Sequence, residues 1–332
     1  MKRQFPTVLV LLFAVLAMAF VTSCGDDDDD GGSDGGAEDV SMTQGGDLKI
    51  AVITHGSGDS FWAVAKRGAE QAGKDLGVQV QYSESANDPQ KQAQLIDAAV
   101  TDEVNGIAVS APNPDALREP LKKAVDAGIP VITLNSGQSD SADLGAITHV
   151  GQDETIAGEA AGSRLAQGGA QKMLCVIHEQ GNIGLNQRCD GAKQGFGGEV
   201  ENLQVKGVED ISTTLTEIQS KLESDDSIDA VLSLNPDIAV AARDAVQGSG
   251  SEAKLATFDL SGDVVNAIED GEIEFAVDQQ QYLQGYLPVV FLKLFNDNAN
   301  TVGGGQPVLT GPGFVDKANA STVKQLAEEG TR

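Results

Sequence analysis

The chain has 332 residues, with 50 Asp and Glu against 22 Lys and Arg, a formal charge of −28. This excess of negative charge excludes a nucleic-acid-binding protein, which must face phosphates with positive charge, and it argues against anionic ligands. The cysteines and three histidines show no metal-ligand spacing, so no metal site is expected.

The N-terminus bears on compartment. Lys2 and Arg3 precede an apolar run, Val8 to Val21, shorter than the about 20 residues of a membrane span. It fits the h-region of a secretory signal peptide over 1–23. The run ends in Val21-Thr22-Ser23-Cys24, which resembles the bacterial lipobox, whose cysteine becomes the lipid-modified first residue. The alternative is an ordinary signal peptide with a coincidental cysteine. Residues 24–46, including Asp26 to Asp30, offer little apolar surface to offset ordering entropy. They read as a flexible acidic tether rather than a cation site. Losing Lys2 and Arg3 with the leader would bring the charge to about −30.

From residue 48, short apolar runs alternate with helical patterns. Leu48–Thr54 reads as a strand, and Phe61–Leu76 as a helix with Asp59 or Ser60 as N-cap and Gly77 as stop. Val78–Tyr82 is a strand, Pro89–Asp102 a helix, Gly106–Val109 a buried strand, and Asp115–Ala127 a helix closed by Gly128. Ile129–Leu134 is a strand that tolerates Pro130 near its start. After Ala146–Val150 the pattern restarts with a helix at Glu154–Ala166. Lys172–His178, Leu203–Val208, Ala230–Leu234 and Lys254–Phe258 are strands with helices between them. Ile273–Asp278, a helix at Gln280–Phe295, a short strand near Pro307–Thr310 and a helix at Ala320–Glu329 complete the chain. Strands separated by helices imply right-handed βαβ units, parallel sheets and two successive α/β units of similar size.

Open parallel sheets bind ligands beyond the carboxyl ends of their strands. The residues there are His55, Asp59, Ser60, Phe61 and Trp62, then Asn135 and Ser136, then His178-Glu179, Asn235-Pro236-Asp237, Asp259 and Gln279-Gln280-Gln281. Short amides and carboxylates can exchange paired hydrogen bonds with vicinal hydroxyls while ring faces cover C–H surfaces. Gly56-Ser57-Gly58 begins like a dinucleotide fingerprint, but Phe61 occupies the third glycine's place and would spoil the close helix–strand packing, so no cofactor is expected. Phe61 and Trp62 either point into a cleft or belong to the core. Arg188 offers a guanidinium fork for two ligand oxygens; its alternative is an ion pair with Asp190 or Glu179. Replacing Arg188 or Asp259 by Ala should abolish ligand response while the melting point moves little. Cys175 and Cys189 are either a disulfide, as an exported chain permits, or two free thiols. No nucleophile elbow or phosphate loop is present, so no catalytic residues are assigned and no enzyme is expected.

Several stretches, taken in order, carry a resemblance: Phe61-Trp62 with Gly68-Ala69-Glu70, Asn105-Gly106-Ile107, Ala127-Gly128-Ile129-Pro130-Val131, and Val150-Gly151-Gln152-Asp153 with Gly158. Further on come Arg188 with Gly191, Gly195 and Phe196, Ile228-Asp229-Ala230-Val231, Thr257-Phe258-Asp259, Ala267-Ile268 with Gly271, and Asp278-Gln279-Gln280 with Gly285. Over about residues 48–325 the chain resembles the type I periplasmic-binding-protein superfamily, specifically the ribose-binding-protein-like sugar receptors of ABC importers.

The resemblance implies two Rossmann-like α/β lobes joined by a three-segment hinge, one formed by 47–149 and 280–311, the other by 150–279 and 312–332. It implies ligand contacts at His55, Asp59, Phe61, Trp62, Asn135, Ser136, Arg188, Asn235, Asp259 and Gln279. It further implies a monomer, a sugar or polyol ligand, an ABC permease partner, and membrane attachment through the N-terminal lipid alone. The ribose type carries an Asp-Arg pair where this chain has Asn135-Ser136, so ribose itself is not expected. The family's aromatic before the helix at Thr216–Leu222 also lacks a counterpart among Asp210 to Thr213. A sensory receptor of the same fold and a carbohydrate-active enzyme are the competing readings.

Overall fold

The computed structural model describes residues 48–332; the leader 1–23, Cys24 and the tether 24–46 lie outside them. Two six-stranded sheets, flanked by helices, form an α/β architecture. The first holds β1 (Lys49–Thr54), β2 (Gln79–Glu84), β3 (Gly106–Ser110), β4 (Val131–Leu134), β5 (Thr148–Gly151) and β11 (Val308–Leu309), ordered β11-β5-β4-β3-β1-β2. The second holds β6 (Lys172–Ile177), β7 (Glu199–Gln204), β8 (Ala230–Ser233), β9 (Lys254–Phe258), β10 (Phe275–Asp278) and β12 (Gly313–Asp316), ordered β12-β10-β9-β8-β6-β7. Each sheet therefore repeats one doubly wound order, with its switch point between β1 and β3 or between β6 and β8.

Successive strand residues face opposite sides of a sheet, and buried strands here are apolar on both. Ile50 and Val52 pack beneath α1 (Ser60–Leu76) and α9 (Gln281–Asn298), whereas Ala51 and Ile53 meet residues of α2 (Pro89–Thr101) and α3 (Pro114–Asp126). In the second sheet, Leu174 and Val176 join the core under α6 (Ile211–Ser224), α7 (Pro236–Ser249), α8 (Gly262–Asp270) and α10 (Ala320–Glu328). Met173, Cys175 and Ile177 face α4 (Glu154–Gln167) and α5 (Ile183–Phe196). Cys175 on β6 and Cys189 on α5 are joined by a disulfide with Cα atoms 5.9 Å apart. Closing a loop of about 15 residues this way contributes roughly 3 kcal/mol in the chain-entropy view.

Two expectations need correction. The strand read at Leu203–Val208 is β7, Glu199–Gln204, and Val208 instead opens a 3-10 turn before α6. β7 is an edge strand paired only with β6, so most of it stays partly exposed and lacks the apolar run that marks a buried strand. No strand was expected between Thr310 and Ala320, but Thr310–Phe314 leads from the first sheet to the second and its end enters β12. That strand runs antiparallel to β10, the one departure from parallel pairing among the described strands.

Candidate ligand-binding site

The loops at the carboxyl ends of both sheets meet around one small, tightly closed cavity. Helix caps place much of its wall. Asp59 is the N-cap of α1 and accepts from Trp62 N at 2.9 Å. Asn235 caps α7 and Asn182 caps α5. Asn135 and Asp259 follow β4 and β9, equivalent positions in the two sheets, and both have left-handed backbones with φ of 58° and 69°. Non-glycine residues adopt that conformation at a cost that surrounding structure must offset.

His55, Asp59, Phe61, Trp62 and Asn135 line the cavity from the first sheet's side, and Arg188, Asn235 and Asp259 from the second, with Gln279 at the crossing after β10. Phe61 and Trp62 satisfy both readings: they belong to the core beneath α1, and their rings also reach the wall. Trp62 packs edge-on against His55 at 4.9 Å and against Phe61 at 4.8 Å. This packing requires Gly56, where a Cβ would lie 1.9 Å from Trp62 Nε1. Ser136 is the exception: it is not on the wall, but its Oγ bonds Asn182 Oδ1 at 3.1 Å behind it. His178 and Glu179, named at a strand end but absent from the implied contact set, and Asn182, not named from the sequence, also line the cavity. The first two stood at a strand end like the others; Asn182 was detectable as a cap directly before Ile183.

Arg188 is in an ion pair, but not with Asp190 or Glu179. Its Nε and Nη2 donate to the two carboxylate oxygens of Glu154 at 2.6 and 2.9 Å. Both side chains are buried, 4% and 2% exposed. The pairing depends on close helix packing: at Gly158 of α4 a Cβ would lie 2.1 Å from the Arg188 backbone oxygen. Arg188 also covers the Phe258 ring, 4.7 Å from its centroid, and Nη1 donates to Leu234 O at 3.4 Å. Two of its five N–H groups remain for a ligand.

Two of the buried carboxyls, Asp259 and Asp59, are shifted toward their neutral forms, and a third, Glu179, toward its ionised form. Burial pushes Asp259 up to about 8, against the pull of Arg188 and of the Gln279 amide. Its Oδ2 accepts from Gln279 Nε2 at 2.8 Å, while Oδ1 is buried without a protein partner. Burial likewise pushes Asp59 up to about 7, opposed by the Trp62 N–H and the Asn235 amide. His178 is pushed down to about 4 by burial, and its Nδ1 is also unpartnered. Burial opposes charge on Glu179, yet the His55 ring, His178 and the Asn182 amide together hold its carboxyl below the usual range. With Arg188 neutralised by Glu154, the wall suits an uncharged molecule with many hydroxyls: carboxylates accept, the guanidinium donates, and amides do both.

The two halves touch directly around the cavity. Asn235 Nδ2 donates to Asp59 Oδ2 at 3.0 Å, and Asp237 accepts from both the backbone N (3.0 Å) and the hydroxyl of Ser60. Elsewhere Glu179 Oε2 stands 3.3 Å from His55 Nε2, and Ile183 N donates to Pro112 O at 3.1 Å.

Comparison with known proteins agrees with this geometry. Residues 50–295 match the family described as periplasmic binding protein domain. The ribose import binding protein RbsB of Haemophilus influenzae is 27% identical over 259 residues, 76% of this chain and 86% of that protein. The fructose import binding protein FruE of Bifidobacterium longum is 26% identical, covering 83% and 85% respectively. A carbohydrate transporter from Acidothermus cellulolyticus 11B, solved in complex with myo-inositol, is 45% identical with a TM-score of 0.85, covering 86% of this chain and all of that one. The doubly wound sheets, the site between them and these matches together make the chain a member of the periplasmic binding protein domain family, in its type I, ribose-binding-like group of sugar-transport components.

Proposed function

We propose that this chain is the extracytoplasmic solute receptor of an ABC importer and captures one neutral, polyhydroxylated ring without chemical turnover. The observation that carries this is the polar cavity between two sheets, lined by Asp259 with an unpartnered oxygen and by Arg188 with N–H groups left over from its ion pair. A ring touching both halves binds the closed arrangement better than an open one and shifts the population toward it. On this reading the lobes are 47–149 with 280–311, and 150–279 with 312–332. They turn about the three crossings, and the wall residues named above, with Ser136 behind them, are the ligand-binding set. The closed receptor acts as a monomer and docks on a membrane permease. Export by the leader and lipid at Cys24 would hold it outside the membrane by its tether alone.

The likeness to a protein solved with myo-inositol makes cyclitols the first ligands to test. Cyclitols are uncharged rings bearing only hydroxyls, which suits a wall of amides, carboxyls and one ion-paired guanidinium. The test is a thermal-shift screen of pentoses, hexoses, cyclitols and nucleosides, followed by titration calorimetry. A true ligand at 1,000 times its Kd stabilises by about 4 kcal/mol through mass action. The proposal fails if no member of these classes raises the melting temperature saturably.

A further inference from the structure

A second, small cavity adjoins the first and shares three of its residues: His55, Glu179 and Asn182. The two spaces meet at side chains from both halves. His55 Nε2 lies 3.3 Å from both Glu179 Oε2 and Asn182 Nδ2, and Asn182 Nδ2 donates to Glu179 Oε2 at 2.6 Å. Two donors on one carboxylate oxygen fit a ring whose Nε2 carries a proton. That tautomer leaves Nδ1 to accept from the Ser110 hydroxyl, 2.7 Å away. Two of the three members are braced from behind and hold the third, Glu179, between them: His55 by Ser110 and the edge of Trp62, Asn182 by Ser136 Oγ and by its capping bond to Gly184 N. The same three side chains thus face both cavities and are held in place.

We infer that this three-residue wall sets the upper size limit of the ligand. It confines the site to a single unsubstituted ring, and trimming it joins the cavities and admits a ring carrying one neutral O-substituent. The inference rests on the receptor reading above. The outer cavity favours such a substituent because its lining includes the amides of Asn87, Gln92, Asn113 and Gln180 and the apolar rings of Pro89 and Pro112. No Lys or Arg is among its lining residues, and Glu179 would repel a phosphate.

The experiment is titration calorimetry of the wild-type protein, Glu179→Ala, Glu179→Gln and Asn182→Ser. The probes are myo-inositol with its mono-O-methyl ethers, and glucose and galactose with their methyl glycosides. Asn182→Ser shortens the wall but keeps a good N-cap, so it tests the inference should Glu179→Ala fold poorly. Overpacking one extra methyl against a braced wall predicts that the wild type discriminates by up to about 100-fold against the ether facing it. Glu179→Ala and Asn182→Ser should cut that ratio to below about tenfold, whereas Glu179→Gln, of equal volume, should retain it. The inference is overturned if the wild type binds every ether as tightly as its parent ring. It is equally overturned if the trimmed variants bind the parent but gain no ether, or if Glu179→Gln gains as much as Glu179→Ala. A wild type that binds none of the parent rings would remove the receptor reading itself.

Discussion

Replacing Arg188 tests the buried pair most directly. The sequence reading expects Arg188→Ala to abolish ligand response with little change in melting temperature, as for a residue that only meets ligand. The structure overturns that expectation, because Glu154 is 2% exposed and both its oxygens are bonded to the guanidinium. Among the described residues, the only other side-chain donor to Glu154 is Gln152, at 3.0 Å. Removing one partner of a buried pair leaves an uncompensated charge at a cost of about 3–5 kcal/mol, whereas replacing both with apolar groups of similar volume is often neutral or stabilising. At roughly 2–4 °C per kcal/mol for proteins of this order of size, Arg188→Met and Glu154→Leu should each melt about 6–20 °C lower without ligand. The double variant should recover most of that loss yet bind no ligand, since the donating N–H groups are gone. Thermal unfolding gives the stability cycle and calorimetry the binding. An Arg188→Met protein that melts within about 1 °C of wild type, below the cost of any buried unpaired charge, would refute the reasoning.

Two further outcomes follow from the contacts around the cavity. Ser60 and Asp237 lie off the cavity wall yet join the halves through two hydrogen bonds. Asp237→Ala should therefore weaken binding by about tenfold, the equivalent of 1.4 kcal/mol, for all ligands alike, by depopulating the closed arrangement. A changed ratio between two ligands in calorimetry, or an unchanged affinity, would contradict that role. The second outcome concerns pH. Asp59 and Asp259 are raised from 3.8 to about 7 and about 8 in the folded protein, so the folded state holds their protons more tightly than the unfolded chain. Their contribution is full below about pH 4 and is lost as pH rises toward 8. Compared with Asp59→Asn/Asp259→Asn, the unliganded wild type should lose melting temperature steadily between pH 5 and 8. Parallel curves for the two proteins would show that neither carboxyl is buried as described. His149 and His178, lowered to about 4, act oppositely: their contribution is lost as pH falls from 6.5 through 4. They are common to both proteins and cancel in the comparison.

What was legible in the sequence was local. The alternation of apolar runs and helical patterns names two successive α/β units with parallel sheets, because strand and helix periods are written within a few residues of chain. Asp59 follows from capping chemistry, and Asn135, Asn235, Asp259 and Gln279 from their places at strand ends, where such sheets bind ligands. What the tertiary structure decided was pairing between distant segments. Arg188 meets Glu154, 34 positions earlier, only because glycine lets α4 and α5 approach closely. Ser136 lies behind the wall rather than on it because Asn182, from the other sheet, reaches across. β12 takes its strand form from antiparallel pairing with β10, and β7 lies four residues before its apolar signal because an edge strand is selected by its one neighbour. Periodicity and capping act along a few turns of chain, but a buried charge finds its partner only once the helices that carry it are packed.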